Sequence, residues 1–207
     1  MLVTSYRPIK AYIYDEGFGR FCNEMYSSDI AEMDNMFVHL TNVAIQKFSD
    51  KYSGDHGGKW STKSLRFYLE MVHGAEKANR CFEEINNMII MSLKSVQSVI
   101  INDKHCFELY GFDVLLDDNC KPWMIEINAS PSLSTTTKRD KILKMDVLKS
   151  IYEIVIPEEW GDEYGKYGSN TSNASRVGGF SILYDERDDN SRKNIMSSKR
   201  NNNKIWR

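Results

Sequence analysis

Chemistry is most legible between Asp113 and Asn128, in the stretch DVLLDDNCKPWMIEIN. Two runs of β-forming residues flank Asp117-Asp118-Asn119, the composition of a β-hairpin. Side chains alternate along a strand, so Trp123, Ile125 and Ile127 point to one face and Met124, Glu126 and Asn128 to the other. A connection formed by the four residues Asp118–Lys121 pairs residues whose numbers sum to 239 and sets Asp113 opposite Glu126. Their Cβ atoms would then lie about 5 Å apart. Two carboxylates at that separation repel each other unless a cation joins them. With the amide oxygen of Asn128 they make an all-oxygen set, which suits Mg²⁺ rather than zinc or copper, water and phosphate completing the shell. The competing reading is an ordinary solvated hairpin face, because the register hangs on the loop length. The turn Asn128-Ala129-Ser130-Pro131-Ser132 weighs toward metal and phosphate, since small side chains let a backbone approach an anion closely.

The elements that must position these residues follow from periodicity. Residues 2–6 and 11–14 are aromatic and β-branched and flank Arg7-Pro8, which predicts two strands and a turn in a small sheet. Residues 15–60, rich in Gly, Asp, Asn and Ser, predict a long loop containing short elements. Ser61 or Thr62 caps a helix that Gly74 ends. Phe82, Ile85, Ile89, Leu93, Val96 and Ile100 recur at helical steps and predict a helix over 75–100, stopped at Asn102-Asp103. A third helix is expected over 138–155, before Pro157. Trp60, Trp123 and the methionines at 88, 91 and 145 read as core residues.

Composition sets limits. The chain has 207 residues with Lys and Arg at 27 against 29 Asp and Glu, so its formal charge of −2 gives no bulk attraction to nucleic acid or anionic membrane. Neither is expected as a partner. Cys22, Cys81, Cys106 and Cys120 lack the spacing of a zinc or redox site and read as reduced thiols in a cytosolic protein. The first ten residues carry no signal-peptide pattern, and the most apolar window, 88–101, is interrupted by polar residues. After Pro157 the composition turns to Gly, Ser, Asn and mixed charge, nine basic against eight acidic residues, and predicts a largely disordered tail. Within it, 176–186 (RVGGFSILYDE) is apolar enough to dock somewhere, and the expected bounds are 1–157 for the folded unit and 158–207 for the tail.

The stretches LVTSYRPIKAYIYDEGFGRFC (2–22), HLTNVAIQK (39–47), GGKW (57–60), DKHCFELYGFDVLLDDNCKPWMIEINASPSL (103–133) and RVGGF (176–180) resemble the tubulin-tyrosine-ligase-like family, and within it the polyglutamylase branch, RVGGF most resembling the ninth-numbered subgroup. The resemblance implies an α+β fold: the C-terminal part of an ATP-grasp-like catalytic domain, an antiparallel sheet with packed helices. It implies an ATP- and Mg²⁺-dependent ligase that adds L-glutamate to glutamate side chains in the acidic tails of tubulin through an acyl-phosphate. Its metal ligands fall on Asp113, Glu126 and Asn128, the trio that the strand faces select. Thr41 and Asn42 match positions that contact ATP, and Arg20 and Lys59 match basic residues associated with the amino-acid substrate. A cytoplasmic, cytoskeletal protein of cilia or basal bodies is the implied setting.

Family members carry further features upstream of the LVTSY strand: lysines for the ATP phosphates and adenine, a Gly-rich phosphate loop, and an arginine in an FDLR-type segment. Residue 1 falls after them. The 207 residues are therefore expected to bind ATP poorly and to be inactive by themselves. Two function classes follow, the ligase with this chain as its C-terminal catalytic part, and a non-catalytic truncated module that binds tubulin or a polyglutamylase complex.

Overall fold

The computed structural model describes residues 1–54, 57–103, 105–135, 137–156 and 175–188. Its strands are β1 (Leu2–Tyr6), β2 (Ile9–Tyr14), β3 (Phe18–Arg20), β4 (Lys59–Ser61), β5 (Glu108–Leu109), β6 (Gly111–Leu116), β7 (Pro122–Asn128), β8 (Arg176–Val177) and β9 (Phe180–Asp185). Its helices are α1 (Met36–His39), α2 (Val43–Gln46), α3 (Thr62–His73), α4 (Ala75–Val96) and α5 (Lys138–Val155).

Strands β1 and β2 are apolar on both faces, and a strand of that kind has to be covered on both. Val3, Tyr6, Ile9 and Ala11 pack with Ile90 and Leu93 of α4, while Leu2 and Tyr12 pack with Ile151 of α5. The sheet is thus the middle of three layers. Its order is β5-β1-β2-β9-β8, all antiparallel. It is wider than a two-strand reading of the N-terminus suggests, because residues 180–185 return to pair along β2. Phe180 and Tyr184 become fully buried there, Tyr184 on the α4 side and Phe180 on the α5 side. The β8–β9 turn sits so close to α5 and β2 that a Cβ on Gly178 would meet Ser150 Oγ at 2.4 Å, and one on Gly179 the Tyr14 ring at the same distance.

The helices agree with their periodic patterns. Ser61 Oγ accepts the Ser64 N–H to start α3, and Thr137 Oγ1 accepts the Asp140 N–H to start α5. Helix α4 ends at Val96 rather than near 100, because Gln97 turns its amide to the Tyr6 carbonyl and the Glu186 carboxylate, at 3.0 and 2.8 Å. Residues 15–60 hold β3, a 3₁₀ turn at Ile30–Glu32, α1, α2 and the start of β4. Four cysteines are free thiols, with Cys81 and Cys120 buried beside Leu69 and Ala78 where α3, α4 and the β6–β7 turn meet.

Several residues expected in the core are exposed. Trp123 belongs to the outer face of the β6–β7 hairpin, which no helix among the described residues covers, and α4 packs instead on the Met124 side, where Ser92 Oγ lies 3.5 Å from the thioether. Trp60 meets the Phe21 ring at a tilt and the Tyr68 ring edge-on at the surface, and Met91 and Met145 face outward. The tail beyond 157 falls largely outside the described residues, 175–188 excepted.

Replacing Phe180 by Ala should lower unfolding stability by about 3–5 kcal/mol, the usual loss for a fully buried aromatic ring. Urea unfolding measures it, and a loss below about 1 kcal/mol would show that β9 is not integral to the core.

Candidate functional site

The β6–β7 hairpin sets Asp113 directly opposite Glu126, Phe112 opposite Ile127 and Gly111 opposite Asn128. The turn that produces this pairing is not the expected one. Leu116 pairs with Pro122, so the connection runs over 117–121, one residue longer, and a bulge at Ile125 takes up the offset before Glu126 is reached. Asp117 builds the turn. Its carboxylate accepts the N–H groups of Asn119 and Lys121 at 2.9 Å and the Trp123 indole N–H at 3.1 Å. The Trp123 bond, then that of Lys121, holds this carboxyl below its usual pKa.

Asn128 closes the trio. Its amide nitrogen lies 3.2 Å from Asp113 Oδ2 and 3.2 Å from Glu126 Oε1, so the positive end of an amide dipole joins two carboxylates. That is the place and the polarity of a cation. Turning the amide about its last bond presents Oδ1 instead, which completes an all-oxygen donor set. The three residues fit Mg²⁺ by donor chemistry. Among the described residues no cluster of three His, Cys, Asp or Glu side chains forms a metal site.

A second group assembles on the two-stranded ribbon β3–β4, where Arg20 pairs with Lys59. Gly57 and Gly58 both adopt positive φ just before Lys59, a backbone open to glycine and strained for other residues, and this bend delivers β4 to its partner. Lys59 Nζ reaches Asp140 Oδ2 at 2.7 Å, with side chains only 13% and 8% exposed. Lys59 and Arg20 both lie over the Phe18 ring, at 4.8 and 5.5 Å from its centre. The ion pair ties the ribbon to the first turn of α5 and borders a cleft of about 440 Å³ lined also by Phe18, Thr137, Arg176 and Gly179.

Thr41 and Asn42 stand before α2. The Asn42 side chain is exposed and makes no capping bond, while its carbonyl accepts the Ile45 and Gln46 N–H groups. They are held by Gln46, which is 1% exposed. Gln46 Oε1 accepts the Asn23 N–H at 2.8 Å, and its Nε2 donates to the carbonyls of Phe37 and Leu40 at 3.2 and 2.6 Å. The structure therefore brings Arg20 to Lys59, and Asp113 to Glu126 and Asn128. The two groups are linked by the chain from Asn128 to α5. Among the described residues, Thr41 and Asn42 share no hydrogen bond with either group.

Asp140 and Gln46 both escape the motif reading. Asp140 had a signal, since Thr137 with an acidic residue three positions on is a helix-start pattern. Gln46 had none, because two helices of four residues each carry no period.

Residues 1–162 match the model of the tubulin-tyrosine ligase family. The chain is 70% identical over 185 residues to a probable α-tubulin polyglutamylase, Ttll1, of Tetrahymena thermophila, covering 89% of this chain and 45% of that protein. It is 43% identical over 183 residues to a probable tubulin polyglutamylase, ttll-9, of Caenorhabditis elegans, covering 88% and 41%. A human tubulin polyglutamylase, TTLL5, is 33% identical over 170 residues, covering 75% and 13%. The chain thus spans less than half the length of these curated relatives. Identity is higher to the Ttll1 protein than to the ninth-numbered subgroup that RVGGF resembles.

Gln46→Leu should destabilise the 23–47 segment by about 3 kcal/mol, because it leaves buried backbone groups without partners. Hydrogen exchange at residues 37–47 would rise ahead of exchange in β1 and β2; equal protection in variant and parent would remove Gln46 from this role.

Proposed function

The chain belongs to the tubulin-tyrosine ligase family, and on that footing we propose that it carries the metal and amino-acid subsites of an ATP-dependent ligase that adds glutamate to glutamate side chains of tubulin. The observation that carries the reading is the direct opposition of Asp113 and Glu126, with Asn128 between them. Relatives named tubulin polyglutamylases support the substrate class.

The chemistry asks little of protein nucleophiles. An acceptor γ-carboxylate takes the terminal phosphoryl group of the co-substrate ATP, and the amine of the incoming glutamate then displaces phosphate from the acyl carbon to form the amide. Both steps are governed by positioning and by neutralisation of charge. Asp113, Glu126 and Asn128 would hold Mg²⁺, which supplies neutralisation of phosphate charge. Arg20 presents a planar fork that can grip a carboxylate by two bonds, and Lys59 adds a point charge beside it. Asp140 fixes Lys59 through the 2.7 Å ion pair, so the ammonium stays beside Arg20 instead of swinging into solvent. Thr41 and Asn42, on the segment braced by Gln46, serve the nucleotide. A cytoskeletal setting, at cilia or basal bodies, goes with a tubulin substrate.

The test uses a full-length polyglutamylase carrying these 207 residues, with tubulin, ATP, Mg²⁺ and labelled glutamate. Asp113→Ala and Glu126→Ala should each cut incorporation by about a hundredfold or more, the scale of losing a main electrostatic contact to the transferring group. Incorporation equal to the parent by Asp113→Ala would overturn the metal assignment.

A further inference from the structure

Lys144 is assigned nothing by the motifs, yet it touches the segment that follows the hairpin and shares a helix face with the acid that holds Lys59. It lies one helical turn beyond Asp140 on α5, and residues four apart share a helix face. Asp140 holds Lys59, and Lys59 stands opposite Arg20 in the ribbon. Lys144 Nζ itself donates to the carbonyl of Ser134, on the segment that leaves the hairpin just after Asn128. Three cations from three elements, β3, β4 and α5, are therefore gathered around Asp140, and one of them also holds the segment that follows the hairpin.

Burial is the main cause that pulls the Lys144 ammonium below its usual pKa. Asp140 opposes that shift, and the fields of Lys59 and Arg20 add to it. A half-buried lysine kept beside two further cations is an arrangement that an incoming anion stabilises. Pinning Ser134 alone would need a hydrogen-bond donor but not a positive charge so near Lys59 and Arg20.

We propose that Lys144 is a third cation of the amino-acid subsite and that it selects a dicarboxylic amino acid, one carboxylate engaging the Arg20 fork and the second the ammonium groups of Lys59 and Lys144. An amino acid with a neutral side chain offers only one carboxylate and leaves part of this set without its ligand. The inference rests on the reading of Arg20 and Lys59 given above.

The test is an NMR titration of a full-length polyglutamylase carrying these 207 residues with L-glutamate and with L-glutamine, following the side-chain signals of Arg20, Lys59 and Lys144. Thermal unfolding is recorded for every variant. Glutamate should shift all three signals. Lys144→Met should weaken glutamate binding by about tenfold, the scale of one charged hydrogen bond, while glutamine binding changes less than about twofold. Lys144→Arg should restore most of the preference.

Shifts at Arg20 and Lys59 without one at Lys144 would overturn the proposal and leave the subsite reading standing. So would equal weakening of glutamate and glutamine by Lys144→Met, which marks a loop pin. No shift at any of the three overturns both. If Lys144→Met does not fold, the parent titration and the glutamate-to-glutamine ratio of Lys144→Arg decide the matter by the same criteria.

Discussion

Burial of both faces of the β1–β2 pair is the constraint from which the site's geometry descends. Leu2 and Val3 are adjacent and almost wholly buried, on opposite sides of the sheet, as are Ala11 and Tyr12. Each apolar side chain removed from water contributes about 1.5–3 kcal/mol, so neither face can be left open. The result holds α4 and α5 apart at a fixed spacing, one on each side. The β6–β7 hairpin then rests on α4 through Met124, and the cationic ribbon is tethered to α5 through Lys59 and Asp140. The two candidate groups are thereby borne on opposite layers of one frame.

The Lys59–Asp140 pair is expensive to bury and is weak evidence for stability, since its attraction is largely offset by lost hydration. Its use is geometric. Without a carboxylate on α5, the ribbon would lose its ion pair to that helix, and the Phe18 ring would remain under Arg20 and Lys59 on a pairing of only three residues. Asp140 is in turn placed by the helix start, where Thr137 accepts its N–H. A local rule of helix capping thus aims a side chain that serves the site, and breaking the cap would disturb the cations before it disturbed the core.

How far all this could be read from the residues differs by element, for physical reasons. Helices α3 and α5 are legible to within a residue because they are periodic and capped by Ser61 and Thr137. The width of the sheet is not legible, because β9 reaches β2 from more than 160 residues away and no local pattern encodes that partner. The exposed Trp123 is misread for a related reason: alternation tells which face a side chain takes, but not whether a helix covers it. The Asp113–Glu126 pairing is a more instructive case. It agrees with the expected register, yet the turn is a residue longer than assumed and the bulge at Ile125 restores the alignment. The agreement therefore owes as much to the bulge as to the rule.

That bulge also bears on what the trio can do. A regular hairpin with the longer turn would set Asp113 opposite Ile125, with Glu126 a residue out of register on the other face. The inserted residue keeps both carboxylates together at the cost of a ladder interruption, and it does so next to the candidate metal position, where bulges commonly re-aim a side chain. Asn128 then has two employments. Its amide hydrogens relieve the repulsion between Asp113 and Glu126 in the protein alone, and its oxygen can serve a cation after rotation about one bond. An alanine at 128 would leave the carboxylates facing each other with neither amide nor fixed charge between them. The same side chain thus eases the approach of the two carboxylates and carries an oxygen that could join them as a ligand, which is why an amide, able to donate or accept, suits this position better than a third carboxylate.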